Sequence, residues 1–473
     1  MTTGGESRDR VLGRDWIESV LPGGAWVGRA SFTGASGAGI DTRRLRPGEI
    51  FVALRTETGD GHDFLAEAAN RGAAGALVSE PAEALALPQL VVPDPAAALQ
   101  ALGLAWRRLW PGRLYAITGS CGKTSTRECL AHLLGSERTF ASPDNFNNLF
   151  GVPLSLLGLR AHHTHAVLEA GINQRGEMAR LAALLEPDAA LVTTIEAVHL
   201  EGLGSLEGVA GQKAILPAAV GPGGARYLGP ACARYRAFRE LDGPDTRWLR
   251  PAGEGAGSEA ASASVGPAWH FGVDPGEGGD GLTILGPAGE SWEGTLPPVP
   301  EAMAANAALA VLVAREAGVP DELLRERLRT WRSAGHRGER VTRGGWTVYA
   351  DCYNSNPAAL REAARFFVRS FPEGPRWWVV GSMVELGEES ARWHREAAGF
   401  LPVAPGDRVL LVGGEARPME EVLRDRLGPE AVRWLAEAEE VPAHLPTAGG
   451  ILFLKGSRIH RLEKVLDSLA GEG

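Results

Sequence analysis

Short apolar runs alternate with longer amphipathic stretches along most of the chain, a pattern that predicts an α/β protein built from three units. From about Val11 to Pro111, runs such as EIFVAL (49–54) and GALVS (75–79) alternate with helical patterns such as FLAEAANRGA (64–73). Asp94-Pro95 is a helix-start signal, a capping carboxylate followed by proline at the first helical position, and it opens an alanine-rich helix to Trp110. Beyond Arg113, the β-rich segments YAIT (115–118), HAVLEAG (165–171) and AALVTTI (189–195) are each followed by a helix-forming stretch, as in a parallel sheet with crossovers. The stretch 251–267 is rich in Gly, Ala and Ser with little to bury and reads as a loop or insertion between β-rich segments. After Gly335, WTVYAD (346–351), RWWVVGS (376–382), RVLLVGG (408–414) and ILFLKGS (451–457) are four more apolar β runs with helices between them. The expected division is 1–111, 112–334 and 335–473: an N-terminal α/β unit, a central parallel-sheet unit and a C-terminal Rossmann-like unit.

Composition narrows the function classes. At 473 residues and 44% apolar content the chain is long enough for about three domains with ordinary cores. Its 48 basic against 58 acidic residues give a formal charge of −10, which argues against a nucleic-acid partner, so any anionic ligand must be held by local donors. Cys121, Cys129, Cys232 and Cys352 are scattered without a CxxC pair; neither a disulfide framework nor a zinc site is suggested, and a reducing cytoplasm is the expected setting. The first ten residues mix charges and lead into no signal-like core, and no run approaches the roughly 18 apolar residues of a spanning helix, so direct membrane insertion is not expected. A monomer is the expectation.

The most specific chemistry lies at LYAITGSCGKTST (114–126). A buried strand delivers the chain to a glycine loop. Gly119 and Gly122 let the backbone bend toward a ligand, and the helix opening at Lys123 aims its free N–H groups and positive dipole end at the same point. This is a polyphosphate cradle. Lys123 is suited to neutralise phosphate charge and the Thr124 hydroxyl to hold Mg²⁺, although an ordinary P-loop would carry glycine where Ile117 stands. Since ligands of such sheets sit at the carboxyl ends of strands, the polar residues after each apolar run form the next candidates. Glu169 follows HAVL as a possible metal ligand or water-orienting group; His199 follows the third run and could reach a metal or phosphate oxygen. Lys213 sits on the next helix, capped at Ser205, where a lysine is ordinarily a solvated face. The loop DNFNNLFGVP (144–153) places Asn145, Asn147 and Asn148 within four positions, a donor-and-acceptor set suited to amide and sugar groups.

Taken in order, these segments resemble the Mur ligase family over nearly the whole chain. The N-terminal unit carries DTR (41–43), PGEIFVAL (47–54) and DGHDF (60–64); the centre carries GSCGKTST (119–126), NFNNLFGVP (145–153), LEAG (168–171) and the span from His199 to Ser205 with Lys213. The third unit carries DCYNSNP (351–357), GSMVELG (381–387) with His394, and LKGSR (454–458). Within the family the resemblance points to the members that add D-alanyl-D-alanine to UDP-N-acetylmuramoyl-tripeptide, with ATP and Mg²⁺ as cofactors and those two molecules as partners. It implies that Gly119, Ser120, Cys121, Gly122, Lys123, Thr124 and Ser125 hold the ATP phosphates, and that Thr124, Glu169 and His199 organise the metal. It further implies that Lys123, Glu169, His199 and Lys213 serve catalysis, Lys213 being open to carbamylation, while Asn306 contacts adenine and Arg337 and Asp351 reach the nucleotide from the third unit. Thr42 and Arg43 would serve the uridine diphosphate, Asn145, Asn147 and Asn148 the muramoyl peptide, and Asn354, Asn356, Ser457 and Arg458 the incoming dipeptide.

The chain departs from the family pattern at several points. Pro300-Glu301-Ala302 stands where a Gly-x-His segment usually precedes the adenine-side asparagine, Thr42 replaces a serine, Thr194 an asparagine and Ile215 a glutamate. The rival readings are therefore another Mur-type ligase with a changed acceptor, or a non-catalytic ATP-binding paralogue. A P-loop switch is disfavoured because no Asn-Lys-x-Asp run occurs.

Overall fold

The computed structural model describes residues 12–469 apart from 58, 144, 254–264, 277–278, 334 and 336. The reading of the first ten residues as non-leader, Asp144 of the asparagine loop and the middle of the Gly/Ala/Ser stretch fall outside the described residues. Three larger sheets organise the rest.

The N-terminal sheet has five strands in the order Ala25–Val27, Gln89–Val91, Gly75–Val78, Ile50–Val52, Ala38–Gly39, all parallel except for the first. The helix Pro95–Leu109 starts as its sequence predicts: the Asp94 carboxylate accepts from Ala96 N at 2.8 Å and Ala97 N at 3.1 Å. Its apolar face, Ala98, Leu99, Leu102 and Trp106, is buried. Gly103 permits close packing on Pro153, which a Cβ would meet at 2.7 Å, and the Trp106 indole donates to Leu159 O at 3.1 Å. One continuous apolar cluster consequently runs from Leu12 through this helix to Trp248, joining the N-terminal and central sheets.

The central sheet has nine strands in the order Thr139–Ala141, His165–Glu169, Arg113–Thr118, Ala189–Val192, Ala225–Leu228, Thr246–Pro251, Ala268–Asp274, Asp280–Leu285, Ser291–Leu296. The first seven run parallel, and each of the last two is antiparallel to the strand before it. The helix Glu301–Glu316, buried over almost every residue from Ala304 to Ala314, packs against the helix Lys123–Leu134. An alanine-rich surface allows that closeness.

The third sheet orders six strands as Arg337–Arg343, Trp346–Asp351, Gly450–Lys455, Arg376–Gly381, Arg408–Val412, Val432–Leu435, with only the first antiparallel to its neighbour. All four apolar runs expected after Gly335 are strands. The two edge strands were not anticipated, because Arg337–Arg343 is four-sevenths charged with one glycine and Val432–Leu435 is only four residues long. This sheet is packed by apolar clusters of its own, from Tyr349 to Phe453 on one face and from Trp346 to Leu466 on the other. Among the described residues no helix is long and apolar enough to cross a membrane.

Candidate active site

The strand Arg113–Thr118 is buried from Leu114 onward, and Thr118 Oγ1 anchors its end by donating to Ala170 O at 2.9 Å. Both loop glycines are then dictated by close contact. At Gly119, φ is +149° and a Cβ would lie 1.9 Å from Thr193 Oγ1; at Gly122, φ is +81° and a Cβ would lie 2.2 Å from Asn306 Nδ2. Asn306, expected at the adenine, thus packs its amide against the loop. Gly122 also caps the helix Lys123–Leu134 without any side-chain hydrogen bond, so the N–H groups of the first turn face the loop.

Two lysines converge on one backbone oxygen. Lys123 Nζ donates to Gly119 O at 2.7 Å, and Lys213 Nζ donates to the same oxygen at 3.1 Å. Lys213 is only 1% exposed, so the solvated-face reading of a helix lysine does not hold here: every neighbour on its inner face, Val209, Ala210, Ala214 and Leu216, is buried as well. Burial, and next the charge of Lys123, push its ammonium well below the ordinary lysine value. Burial lowers Lys123 too, with Glu169 opposing. Glu169 is also 1% exposed and pairs with Arg127 Nη1 at 2.9 Å. Arg127 lies one helical turn beyond Lys123, a spacing of four that could have revealed it in the sequence. Thr124 and Ser125 are nearly buried in the first turn. Ser120 ties the loop to the next strand end, its N donating to Thr194 O at 2.8 Å and its Oγ exchanging hydrogen bonds with Glu196 N and O at 2.9 and 3.1 Å.

The third sheet brings its strand ends to the same loop. Asn356 Nδ2 donates to Cys121 Sγ at 2.9 Å, while its Oδ1 caps the helix Pro357–Ser370 by accepting from Ala359 N at 2.8 Å. The residue expected on the dipeptide side therefore sits on the phosphate loop. Lys455, 1% exposed, donates to Asp351 Oδ2 at 2.8 Å and Asn354 O at 3.0 Å; it stands inside the KGSR run but was not among the candidates. The Arg337 guanidinium lies 3.6 Å from the Tyr353 ring centre and that of Arg458 lies 5.4 Å from it. Ser457 Oγ accepts from Val384 N at 3.3 Å. His199 Nδ1 meets Glu385 Oε2 at 2.5 Å, another partner contributed by the third unit and another residue the sequence reading left out.

The remaining candidates are spread more widely. Asn147 reaches the strand end beside Glu169, where its side chain lies against Gly171 and its carbonyl accepts from Gly171 N at 2.8 Å. Asn148 Oδ1 caps the helix Gly151–Leu157, accepting from Phe150 N and Gly151 N at 3.1 and 2.9 Å, and Asn145 O accepts from Asn147 N. Thr42 and Arg43 stay on a loop of the N-terminal sheet, Thr42 buried, Arg43 82% exposed on its side chain and paired with Asp41 at 2.7 Å.

Comparison with known proteins agrees with this layout. Residues 35–107 match the model of the Mur ligase family catalytic domain, 117–237 the Mur ligase middle domain and 336–458 the Mur ligase glutamate ligase domain. The UDP-N-acetylmuramoyl-tripeptide–D-alanyl-D-alanine ligase of Escherichia coli is 31% identical over 92% of this chain and 93% of its own length. The chain belongs to the Mur ligase family. The ligase of the same name from Bacillus subtilis is 28% identical over 92% of this chain and 93% of its own. Among solved structures, a crystal structure of MurF from Acinetobacter baumannii superposes with a TM-score of 0.78 at 26% identity, covering 98% of this chain and 99% of that one. MurF from Thermotoga maritima in complex with ADP shares the fold, with a TM-score of 0.71 at 23% identity over 92% and 97% of the two chains.

Two departures from the Mur ligase pattern acquire a physical reading. Thr194 meets the phosphate loop through its backbone carbonyl, so the bond to Ser120 N is indifferent to the side chain at that position. Pro300 serves as the N-cap position of the helix that carries Asn306, where a missing N–H costs nothing, and the asparagine is still presented to Gly122.

Proposed function

We propose that this chain is an ATP-dependent ligase that joins D-alanyl-D-alanine to UDP-N-acetylmuramoyl-tripeptide, with ADP and phosphate as products, in the cytoplasmic assembly of a peptidoglycan precursor. The observation that carries the phosphate chemistry is the convergence of Lys123 and Lys213 on the Gly119 carbonyl at a helix N-terminus, a buried concentration of positive charge and donors that a polyphosphate complements. The choice of substrates follows the named relatives, of which this chain spans more than nine-tenths. We divide the chain at 111 and 334, between its sheets, and take it to act as a monomer.

In this reading a carboxylate oxygen of the tripeptide attacks the γ-phosphorus, the bond to the bridging oxygen breaks and ADP leaves. The amine nitrogen of D-alanyl-D-alanine then attacks the acyl phosphate carbon; the C–N bond forms, the C–O bond to phosphate breaks, and the amine gives up a proton. Negative charge spreads over the phosphoryl oxygens in the first step, so fixed donors there supply most of the acceleration. Residues 119–125 cradle the phosphates, with Lys123 as the prime cation. Arg337, Asp351 and Asn356 close on the nucleotide from the third unit, Asn306 lines it from below, and Asn145, Asn147 and Asn148 face the muramoyl peptide. Thr42 and Arg43 serve the uridine diphosphate, and Asn354, Ser457 and Arg458 the dipeptide. Burial and the charge of Lys123 push the Lys213 ammonium well below its ordinary value, which favours loss of its proton; the free amine would be able to add carbon dioxide and set an anion beside Lys123.

The donor set fits Mg²⁺ bound largely through phosphate. Thr124 offers a hydroxyl, Glu169 a carboxylate and His199 an imidazole, and among the described residues no three histidine, cysteine or carboxylate groups form a cage of their own, which is the usual protein contribution to a phosphate-bridged Mg²⁺. Held there by those three residues, the ion would supply charge neutralisation on the β and γ phosphates.

A phosphate-release assay across amine acceptors tests the assignment. Release with ATP and the muramoyl tripeptide should require D-alanyl-D-alanine and not D-glutamate or diaminopimelate. Equal release with either amino acid would replace the substrate reading, and ATP binding without release would make the chain a non-catalytic relative.

A further inference from the structure

Among the described residues only four that are not glycine adopt a positive φ: Glu186, His199, Glu385 and Arg461. Two of them touch. His199, at φ +51°, lies past the central strand Ala189–Val192; Glu385, at φ +65°, lies past the third-sheet strand Arg376–Gly381; their side chains meet through Nδ1 and Oε2 at 2.5 Å. Left-handed backbone in residues with a Cβ persists only where the surroundings impose it, and such strain collects at functional sites. The contact does not explain the strain as a stability device, because the Glu385 side chain is 54% exposed and an ion pair that open to water contributes little. What it does determine is the orientation of the imidazole.

The setting gives that orientation a purpose. The third unit carries its own apolar clusters and meets the central one through polar contacts: Asn356 on Cys121, Arg369 on Asp280 and the Val299 carbonyl, and Glu385 on His199. Of these, only the last acts on a residue assigned to the metal. A histidine that donates Nδ1–H to a carboxylate is fixed in the tautomer whose Nε2 holds the lone pair, and that nitrogen becomes a better ligand.

We propose that Glu385 is a positioning residue for the metal site: lent by the third unit, it fixes the His199 ring through Nδ1 and so leaves the Nε2 lone pair free for the cation that His199 would hold, and the metal site is complete only while that unit is docked. This rests on the reading of His199 as a metal ligand. In this proposal Glu385 acts only through His199. Its effect runs wholly through one hydrogen bond, so an amide in its place retains an acceptor and an alanine does not.

The test uses Mn²⁺ as the probe, with free Mn²⁺ followed by electron paramagnetic resonance in the presence of saturating ADP, on the full-length wild type, Glu385→Gln, Glu385→Ala, His199→Ala and the double alanine variant. Glu385→Ala and His199→Ala should each weaken Mn²⁺ binding by about 10-fold or more. The double variant should lose no more than His199→Ala, since one residue acts through the other. Glu385→Gln should restore most of the affinity, and ADP binding without metal should be unchanged in both Glu385 variants. Wild-type Mn²⁺ affinity in Glu385→Ala, together with a loss in His199→Ala, overturns the positioning role and leaves the metal reading standing. Unchanged affinity in both overturns the metal reading and the proposal with it. Tighter Mn²⁺ binding in Glu385→Ala overturns the proposal in the opposite sense, making the carboxylate a competitor for the ring. Equal losses in Glu385→Gln and Glu385→Ala overturn it too, because the retained acceptor would then count for nothing.

Discussion

Two groups of buried cations in this molecule are built on opposite plans. In the third unit, Arg376 is paired with Asp407 inside the protein, and the carboxylate is enclosed by donors: Arg376 N at 3.0 Å and Nε at 3.3 Å, Trp378 Nε1 at 3.0 Å and Ala404 N at 3.0 Å. At the phosphate loop, Lys123 and Lys213 share a neutral carbonyl, and neither takes part in an ion pair among the described residues. A buried charge is tolerated when paired and hydrogen-bonded, and otherwise sheds its proton or waits for a counter-ion. The first cluster is finished by the chain itself and holds structure; the second lacks a carboxylate partner and, in the proposed reading, is completed by the anion it binds. Burial of a cation alone does not separate the two. The presence or absence of a carboxylate partner does.

The sharpest way to break this contrast is to remove a cation from each side. Lys123→Ala should lower phosphate release by about 1,000-fold or more, since a fixed cation on a transferring phosphoryl group is lost. The same variant should melt no lower than wild type, because a buried cation without a carboxylate partner has gone; wild-type turnover in it would remove the cradle assignment. Asp407→Ala should do the reverse. Stripping the partner from a buried guanidinium costs about 3–5 kcal/mol, read from urea unfolding, while ADP affinity of the folded fraction stays at the wild-type value. A stable Asp407→Ala protein with weakened ADP binding would invert the two roles.

How much of this was legible in the sequence follows the range of the interactions involved. Strands and caps were readable because their causes are local: apolar runs marked the inner strands, Asp94-Pro95 marked a helix start, and Ser205 caps the helix of Lys213 through Gly208 N. The glycine loop was readable for the same reason. The edge strand Arg337–Arg343 was not, since its high charge fits solvent as well as a sheet edge. By residue type alone Lys213 read as a solvated helix lysine, and only the family resemblance set it at the site, although its apolar neighbours at 209, 210, 214 and 216 already spoke for burial. Asn148 and Asn356 were read as ligand amides before their first duty, capping helices at 151 and 357, was considered. The contacts that join the units, Asn356 to Cys121 and His199 to Glu385, pair positions far apart in the chain, and no spacing rule reaches them.

Arg337 offers a smaller test of the same contrast, because it is a third cation facing the phosphate loop but arrives on another sheet. Its guanidinium stacks on Tyr353, and burial lowers its pKa with Tyr353 opposing. If it completes the nucleotide site on docking, Arg337→Ala should raise the KM for ATP about 10-fold with a lesser change in kcat, the value of one charge-assisted contact. Unchanged kinetics would assign the arginine to packing on Tyr353 alone.

The smallest effect expected is a change of slope. Burial places the Lys213 ammonium well below its ordinary value, so between the depressed folded value and the ordinary lysine value the unfolded chain binds a proton that the folded chain does not. Stability contributed by this residue therefore rises with pH across that window and is lost as pH falls toward the folded value. Lys213→Met keeps the length and apolar stem of the side chain but cannot titrate. Urea unfolding from about pH 7 to 10, in buffer freed of carbon dioxide so that no carbamate intervenes, should give a flatter curve for the variant than for the wild type. The variant gains most at the low end of the window, and the two curves draw together at the high end. Parallel curves would mean that Lys213 keeps its proton in the fold with only the Gly119 carbonyl as partner, and the idea that burial without a carboxylate strips this cation of its proton would fall.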